Sequence, residues 1–252
     1  MSEQGHMYGG VSILVATYNG ATYLAEQMES ILAQVSPDDE VIVVDDCSSD
    51  NTFAMLSDYA RRFPAVIALR NEKNLGVRKT FERLLHLARK DIVFLSDQDD
   101  IWVQGRKARM TDALRQDGCV AVLANSLILT ENGVDRAFYP EPHHPAVASI
   151  WRNFARNAFI GCCMAFRRDI LAIALPFPER LSMHDWWLGT CAMAVGRVCY
   201  LPEPSLLYRR HGGNLSSSTR RPWRVVLRDR RVNLRALTVL AGRLVRYRRI
   251  AR

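Results

Sequence analysis

The hydrophobic pattern opens on a short apolar run, Val11-Ser-Ile-Leu-Val-Ala16, which gives way to Thr17-Tyr18-Asn19-Gly20. A β-branched run closed by Asn and Gly predicts a strand entering a turn. Over residues 21–34 the period changes: Leu24, Met28, Ile31 and Leu32 share one helical face, with Glu26 and Glu29 outside it. Ser36-Pro-Asp-Asp39 breaks the chain, and Val41-Ile-Val-Val44 is a second run, too continuous for a strand with one wet face. Such runs suit a parallel sheet covered on both sides. Residues 50–62 predict a helix, 66–69 a strand, and 79–89 a helix with Phe81, Leu84, Leu85 and Ala88 inward. Asp91-Ile-Val-Phe-Leu95 is a further strand and 106–116 a further helix. Strand–helix alternation at this spacing predicts an α/β fold, a mostly parallel central sheet flanked by helices.

Beyond Asn125 the rhythm changes. The segment Tyr139–Pro145 is rich in proline and histidine and predicts a loop, with His143 and His144 in solvent. Ile160 to Phe166 predicts a strand, and Met183-His184-Asp185 opens a helix over 186–195. Val198 to Leu201 is a strand that Pro202-Glu-Pro204 stops. No linker or repeat is visible. The pattern gives one domain over residues 1–219, in two halves of about 11–125 and 126–219, followed by a helical tail over 220–252.

Charge separates the same two parts. The 252 residues carry 34 Lys and Arg against 26 Asp and Glu, a net +8. Arg220 to Arg252 holds twelve arginines and a single acid, Asp229, which leaves residues 1–219 with 22 basic and 25 acidic groups. A slightly acidic body is not the composition of a globular nucleic-acid binder. Wound at about 100° per residue, the tail places Val226, Leu227, Leu234, Leu237, Leu240, Ala241, Leu244 and Val245 on one face. Arg224, Arg228, Arg231, Arg235, Arg246 and Arg249 gather opposite, while Arg230 and Arg248 interrupt the apolar side. Two readings stand: a basic amphipathic helix on an anionic membrane surface, or a helix that packs its leucines on the domain. No 18-residue apolar run occurs, so no transmembrane helix is expected. Met1 to Gly10 lacks the build of a signal peptide, and six scattered cysteines without C-x-x-C predict reduced thiols. The expected location is the cytoplasm, with peripheral attachment to the inner membrane face under the first reading of the tail.

Ligands of open α/β sheets bind beyond the carboxyl ends of the strands. Two predicted strands end in acids there: Asp45-Asp46, and the cluster Asp97-Gln98-Asp99-Asp100. Helix capping accounts for one aspartate at each end. Three acids within four residues repel one another unless a cation or donors compensate, and oxygen ligands of this kind suit Mg2+ or Mn2+. For Asp45-Asp46, capping and function stay open. The first turn is not G-x-G-x-x-G, and no P-loop exists, so phosphates would have to be met by metal and arginine.

Seven segments in order resemble glycosyltransferase family 2, the inverting nucleotide-sugar transferases with a GT-A fold. They are Val11-Ser-Ile-Leu-Val-Ala-Thr-Tyr-Asn-Gly20, Val41-Ile-Val-Val-Asp-Asp-Cys-Ser-Ser-Asp50, Asn74-Leu-Gly76 and Phe94-Leu-Ser-Asp-Gln-Asp-Asp-Ile-Trp102. Then come Gly161-Cys-Cys-Met-Ala-Phe166, His184-Asp-Trp-Trp187 and Tyr208-Arg-Arg-His-Gly-Gly-Asn214. The Ser-Asp-Gln-Asp-Asp and His-Asp-Trp-Trp forms look most like bacterial rhamnosyltransferases of surface-polysaccharide synthesis, O-antigen included.

The resemblance implies a nucleotide-binding first half, an acceptor second half and a role for each matching position. Thr17 lies where the family touches the base, and Asp46 where a carboxylate accepts from the N3–H of uracil or thymine. Tyr18, Asp45, Asn74, Arg78 and Asp97 fall on the same nucleotide side. Asp99 corresponds to the metal-binding acid of D-x-D, joined by His211 in those members that use this histidine. Asp185 falls where the family places its catalytic base, and Arg209 and Arg210 on a segment closing over the diphosphate. Trp186 and Trp187 offer a sugar-stacking platform, or else core packing. Asp185 could equally cap its helix, and both roles can hold together.

The implied cofactor is Mn2+ or Mg2+, and the implied partners are a nucleotide-diphospho-sugar and a saccharide or lipid-linked saccharide acceptor. No nucleic acid is expected. For the donor, dTDP-L-rhamnose comes first and a UDP-hexose second. A non-catalytic nucleotide-sugar-binding protein is the rival class, against which the presence of both Asp99 and Asp185 speaks. A sugar nucleotidyltransferase would want a glycine-rich basic loop in place of Thr17-Tyr-Asn-Gly20.

Overall fold

The computed structural model describes residues 9–140, 145, 147–212 and 222–250. The first half runs β1 (Val11–Thr17), α1 (Ala21–Leu32), β2 (Glu40–Asp45), α2 (Thr52–Arg62), β3 (Val66–Arg70), α3 (Val77–Leu87), β4 (Ile92–Ser96), β5 (Ile101–Trp102), α4 (Arg106–Leu114) and β6 (Cys119–Ala124). The second half adds β7 (Leu127–Thr130), β8 (Gly133–Ala137), α5 (Ile150–Ala155), β9 (Met164–Arg167), α6 (Leu171–Ala174), α7 (His184–Val195), β10 (Arg197–Leu201), β11 (Leu206–Arg209) and α8 (Trp223–Ile250).

The continuous apolar runs become the interior strands. In β1, β2 and β4 nearly every side chain is buried, as strands covered on both faces require. They belong to a seven-stranded sheet of order β10-β6-β9-β4-β1-β2-β3. β1 pairs parallel with β2 and β4, β2 with β3, and β6 with β10, while β9 enters antiparallel between β4 and β6. In this register Thr17 stands opposite Asp45 and Val15 opposite Ser96, so three strands finish at one edge. A second sheet, β5-β11-β7-β8, is built of short strands.

Two expectations are corrected. The strand expected from Ile160 starts later: a 3-10 turn at Gly161–Cys163 comes first and β9 begins at Met164. Of the cysteines expected to be reduced, Cys119 and Cys199 are joined across the neighbouring strands β6 and β10, with their Cα atoms 6.2 Å apart. Their separation of 80 residues leaves no local signal. Of the two open readings of the tail, packing against the domain is seen along part of the helix. α8 packs on α5, α6 and α7, burying Asn233, Ala236 and Leu240. Arg243 anchors it by donating to the carbonyls of Ile173 (2.8 Å), Ala174 (3.1 Å) and Pro176 (2.6 Å). The single apolar face read from the sequence divides: Leu237, Leu240 and Leu244 meet the domain, but Leu227, Leu234, Ala241 and Val245 stay exposed. The cause is width. The apolar arc spans about 140° at 100° per residue, more than one packing seam covers.

Candidate active site

At the shared strand edge, the β1–α1 turn is stitched to the β2–α2 turn. The Asn19 amide donates to Ser48 Oγ (2.9 Å), Gly20 to Thr52 Oγ1 (2.9 Å) and Ala21 to Asp50 Oδ2 (3.1 Å). Asp45 and Asp46 leave β2 in opposite directions. Asp45, fully buried, accepts from the Ser48 amide (3.0 Å), the Ser48 hydroxyl and Thr17 Oγ1 (3.2 Å), with Arg70 Nε at 3.3 Å. Asp46 instead takes Asn71 Nδ2 (2.7 Å) and the Leu75 amide (2.8 Å) on Oδ1, and the Gly76 amide (2.8 Å) on Oδ2. It thereby holds the Asn74–Gly76 loop over the strand edge.

The loop after β4 carries the acids. Gln98 Oε1 accepts from the Tyr18 amide (2.7 Å) and Gln98 Nε2 donates to the Tyr18 carbonyl (3.0 Å), clamping the β1 turn to the acid loop. Gly20 leaves room for this clamp, because a Cβ there would lie 2.2 Å from Gln98 Oε1 and push the Gln98 amide aside. Asp99 Oδ2 is 2.8 Å from His211 Nε2, and the imidazole packs on Tyr23 with ring centroids 4.7 Å apart. Burial, and then the neighbouring Asp99, push Asp97 up to about 7. Asp100 is raised well above the carboxylate range by burial and by Asp97. Beneath the loop Arg106 is fully buried, donating to Ser205 Oγ (2.7 Å) and the Cys162 carbonyl (2.5 Å).

A cleft of about 380 Å3 opens over this edge. From the first half it is lined by Thr17, Tyr18, Asp46, Asn74, Asp97 and Asp99, and from the second by Gly161, His184, Asp185 and Tyr208. Asp185 sits in the first turn of α7. Its Oδ1 accepts from the Trp186 amide (2.6 Å) and Asn157 Nδ2 (3.2 Å), while Oδ2 has no hydrogen-bond partner among the described residues. One oxygen thus serves the helix end, and the other is left uncommitted in a carboxyl that lines the cleft. Burial pushes this carboxyl up to about 6. Beside it His184 stacks on Phe81 (4.2 Å between centroids), and neither of its nitrogens has a partner among the described residues. Burial, with Arg78 nearby, lowers it to about 3, so the ring is neutral. Gly161 lets the ring approach, since a Cβ there would lie 2.9 Å from His184 Nε2.

Compared with models of known families, residues 12–173 match "Glycosyl transferase family 2". The chain belongs to glycosyltransferase family 2. It is 28% identical over 218 residues to the dTDP-rhamnosyl transferase RfbG of Shigella flexneri, covering 79% of this chain and 72% of that one. The amylovoran biosynthesis glycosyltransferase AmsE of Erwinia amylovora is also 28% identical, over 222 residues, covering 85% of this chain and 81% of that one. Among solved structures, S. aureus TarS 1–349 in complex with UDP-GlcNAc superposes with a TM-score of 0.68 at 23% identity, over 84% of this chain and 62% of that one. The mannosyltransferase PcManGT of Pyrobaculum calidifontis, in complex with GDP-Man and Mn2+, gives 0.64 at 19%, over 93% and 74%. These likenesses establish the GT-A fold. Several relatives are longer: the chain spans 66% and 62% of two further matched sequences.

Within this family 2 chain, the positions read from the sequence sort into three groups. Thr17, Tyr18, Asp46, Asn74, Asp97, Asp99 and Asp185 come together at the cleft. Asp45 does not; its carboxylate is consumed by the turn. Arg78 is exposed and donates to the Leu181 carbonyl, outside the cleft lining. Arg209 is bound into the acid loop through the Asp99 carbonyl (2.8 Å), Asp100 Oδ1 (3.0 Å) and Glu26, and Arg210 lies over Phe138 at 6.0 Å. The stacking platform is corrected. Trp186 and Trp187 are both core residues, donating through Nε1 to the carbonyls of Asn153 (3.2 Å) and Ala174 (2.9 Å). His143 and His144, and the end of the last motif at Gly213 and Asn214, lie outside the described residues. Gln98, Arg106 and His184 were given no role by the sequence reading, because their partners are distant along the chain.

A divalent cation fits the cleft side of this loop. Asp97, Asp100 and Cys162 bring ligand atoms within 4.8 Å of one another. Cys162, however, is a thiol held well above its usual range by Cys163 and burial, a poor ligand for Mg2+ or Mn2+. Asp100 also points into the interior. Asp99 and His211, with Asp97 beside them, offer oxygen and imidazole donors on the cleft side of the loop.

Proposed function

We propose that this chain is an inverting glycosyltransferase that moves a sugar from a nucleoside diphosphate to a hydroxyl of a saccharide or lipid-linked saccharide. The observation that carries the reading is Asp185, which lines the same cleft as Asp46, Asp97 and Asp99 and whose Oδ2 has no hydrogen-bond partner among the described residues. In a single displacement the acceptor oxygen bonds to the anomeric carbon, the bond to the diphosphate breaks on the opposite face, and the hydroxyl proton passes to Asp185. One base suffices, and the anomeric centre inverts. Mn2+ or Mg2+ at Asp99 and His211 would offset charge on the departing diphosphate. Thr17, Tyr18, Asp46 and Asn74 form the nucleotide side, supplied by residues 11–125, and residues 126–219 form the acceptor side. His184, neutral and unpaired, is placed to accept from or donate to a sugar hydroxyl. Arg209 acts here by fixing Asp99 and Asp100, and Arg210 stays on the acceptor side.

For the donor, dTDP-L-rhamnose comes first, supported by the motif forms and the likeness to RfbG. A UDP-hexose is second, supported by the fold shared with TarS in its UDP-GlcNAc complex. The setting is polysaccharide synthesis, such as O-antigen, at the cytoplasmic face of the membrane. Calorimetric titration with dTDP and UDP tests the site. Wild type is expected to bind one of them in Mn2+ and to lose at least tenfold in affinity in a chelator, with Asp99→Asn losing a similar factor. Binding unaffected by both changes would exclude the metal assignment.

The raised carboxyl of Asp185 sets a pH profile. Only the carboxylate accepts a proton, so kcat/KM should fall about tenfold per pH unit below about 6 and level off above it. A profile flat from about pH 5 to 8 would argue against Asp185 as base.

A further inference from the structure

The domain-facing seam of α8 leaves a second apolar stripe in solvent. Trp223, Leu227, Leu234 and Val245 are 67%, 44%, 54% and 56% exposed, and Ala241 is exposed among them. At about 100° per residue these five fall within about 40° of arc and, at about 1.5 Å per residue, extend along about 33 Å of helix. The stripe is straight and faces away from the seam of Asn233, Ala236 and Leu240. Arg224, Arg228, Arg231 and Arg235, all exposed, border one side of it, at about 80° to 140° on the same wheel. On the other side lies Arg230, which donates to the Ala155 carbonyl of α5 (3.5 Å). α5 itself packs on α8 and carries Trp151, at 72% the most exposed large apolar side chain among the described residues.

We propose that this outer face of α8, with Trp151, is a docking surface for an anionic lipid bilayer, on which the helix lies in the plane of the interface. The charge pattern selects the occupant. Arginines on an apolar stripe meet lipid phosphates while the apolar side chains enter the headgroup boundary, and tryptophan favours that depth. Asp229, the acid of the segment, is half-buried and turned to Arg228 at 3.5 Å, so it does not oppose the phosphates. Among the described residues no helix is long and apolar enough to cross a membrane, which leaves surface attachment as the mode. The inner seam explains why the surface is rigid: Arg243 and the buried residues fix α8 to the domain, so docking would orient the whole catalytic body.

The test is vesicle flotation of the full chain at physiological salt, with phosphatidylglycerol–phosphatidylcholine vesicles against phosphatidylcholine alone. Wild type is expected to float with the anionic vesicles and at least tenfold less with the neutral ones. The triple variant Leu227→Glu, Leu234→Glu, Val245→Glu should lose at least tenfold. The variant Arg224→Gln, Arg228→Gln, Arg231→Gln, Arg235→Gln should lose its preference for anionic lipid. All seven side chains are exposed, and circular dichroism checks that both variants fold. Flotation of both variants equal to wild type would overturn the proposal. So would failure of wild type to bind anionic vesicles, whether or not it retains duplex DNA at the same salt.

Discussion

Asp185→Asn is expected to slow sugar transfer by about 100-fold to 10,000-fold and to leave nucleotide affinity within about twofold of wild type. Asn is nearly isosteric, and its amide oxygen can still accept from the Trp186 amide and Asn157, the contacts that Oδ1 makes now. What disappears is the proton acceptor on the cleft side. The fold should not suffer. Burial already disfavours the ionised carboxyl, whose folded value near 6 lies above its ordinary one. Ionisation therefore costs stability as pH rises through that window, and a neutral amide avoids the cost. Single-turnover transfer measured beside nucleotide titration separates the two effects. A normal transfer rate would remove Asp185 from the mechanism, and a lost nucleotide affinity would recast it as a binding residue.

Arg106→Ala is expected to cost about 3 to 5 kcal/mol of stability, among the largest effects of any single change outside the cleft. The guanidinium is fully buried, donates to Ser205 Oγ and the Cys162 carbonyl, and lies over the Trp102 ring at 4.8 Å. Its removal strands two acceptors and opens a cavity in the interior. Arg106→Met fills most of the volume and should recover part of the loss. Equilibrium unfolding in urea checks this through the midpoint at unchanged slope. A cost under about 1 kcal/mol would mean that the buried charge has little hold on the acid loop.

The sequence was legible wherever a signal was local and long enough. β1, β2 and β4 are buried on both faces, so their apolar runs were unbroken, and the acids at their ends fell on the strand edge that the register later aligned. β5, β7, β8 and β11 contain two to five residues each, too few to show a period, and β11 joins β5 and β7 across gaps of many residues. Asp45 and Asp46 could not be told apart because adjacent side chains at a strand end turn to opposite sides, and only the neighbours decide which is consumed. Trp186 and Trp187 fit either a platform or a core. Their indole N–H groups found carbonyls of Asn153 and Ala174, and that settled the choice. Gln98 grips a backbone 80 positions away, and His184 acquires its meaning from Phe81 and Gly161. The tail helix was readable as a helix, but an apolar arc wider than one seam did not reveal that it would be shared between domain and solvent.

The proposed reaction is metal-dependent transfer at the cleft between Asp46, Asp99 and Asp185. Its most direct measurement is release of nucleoside diphosphate from a panel of dTDP- and UDP-sugars, with Mn2+ and with a chelator, beside the Asp185→Asn variant. Release from at least one donor is expected to need the metal and to be lost in the variant. Release from no donor above the enzyme-free rate, or release undiminished by both the chelator and the substitution, would contradict it.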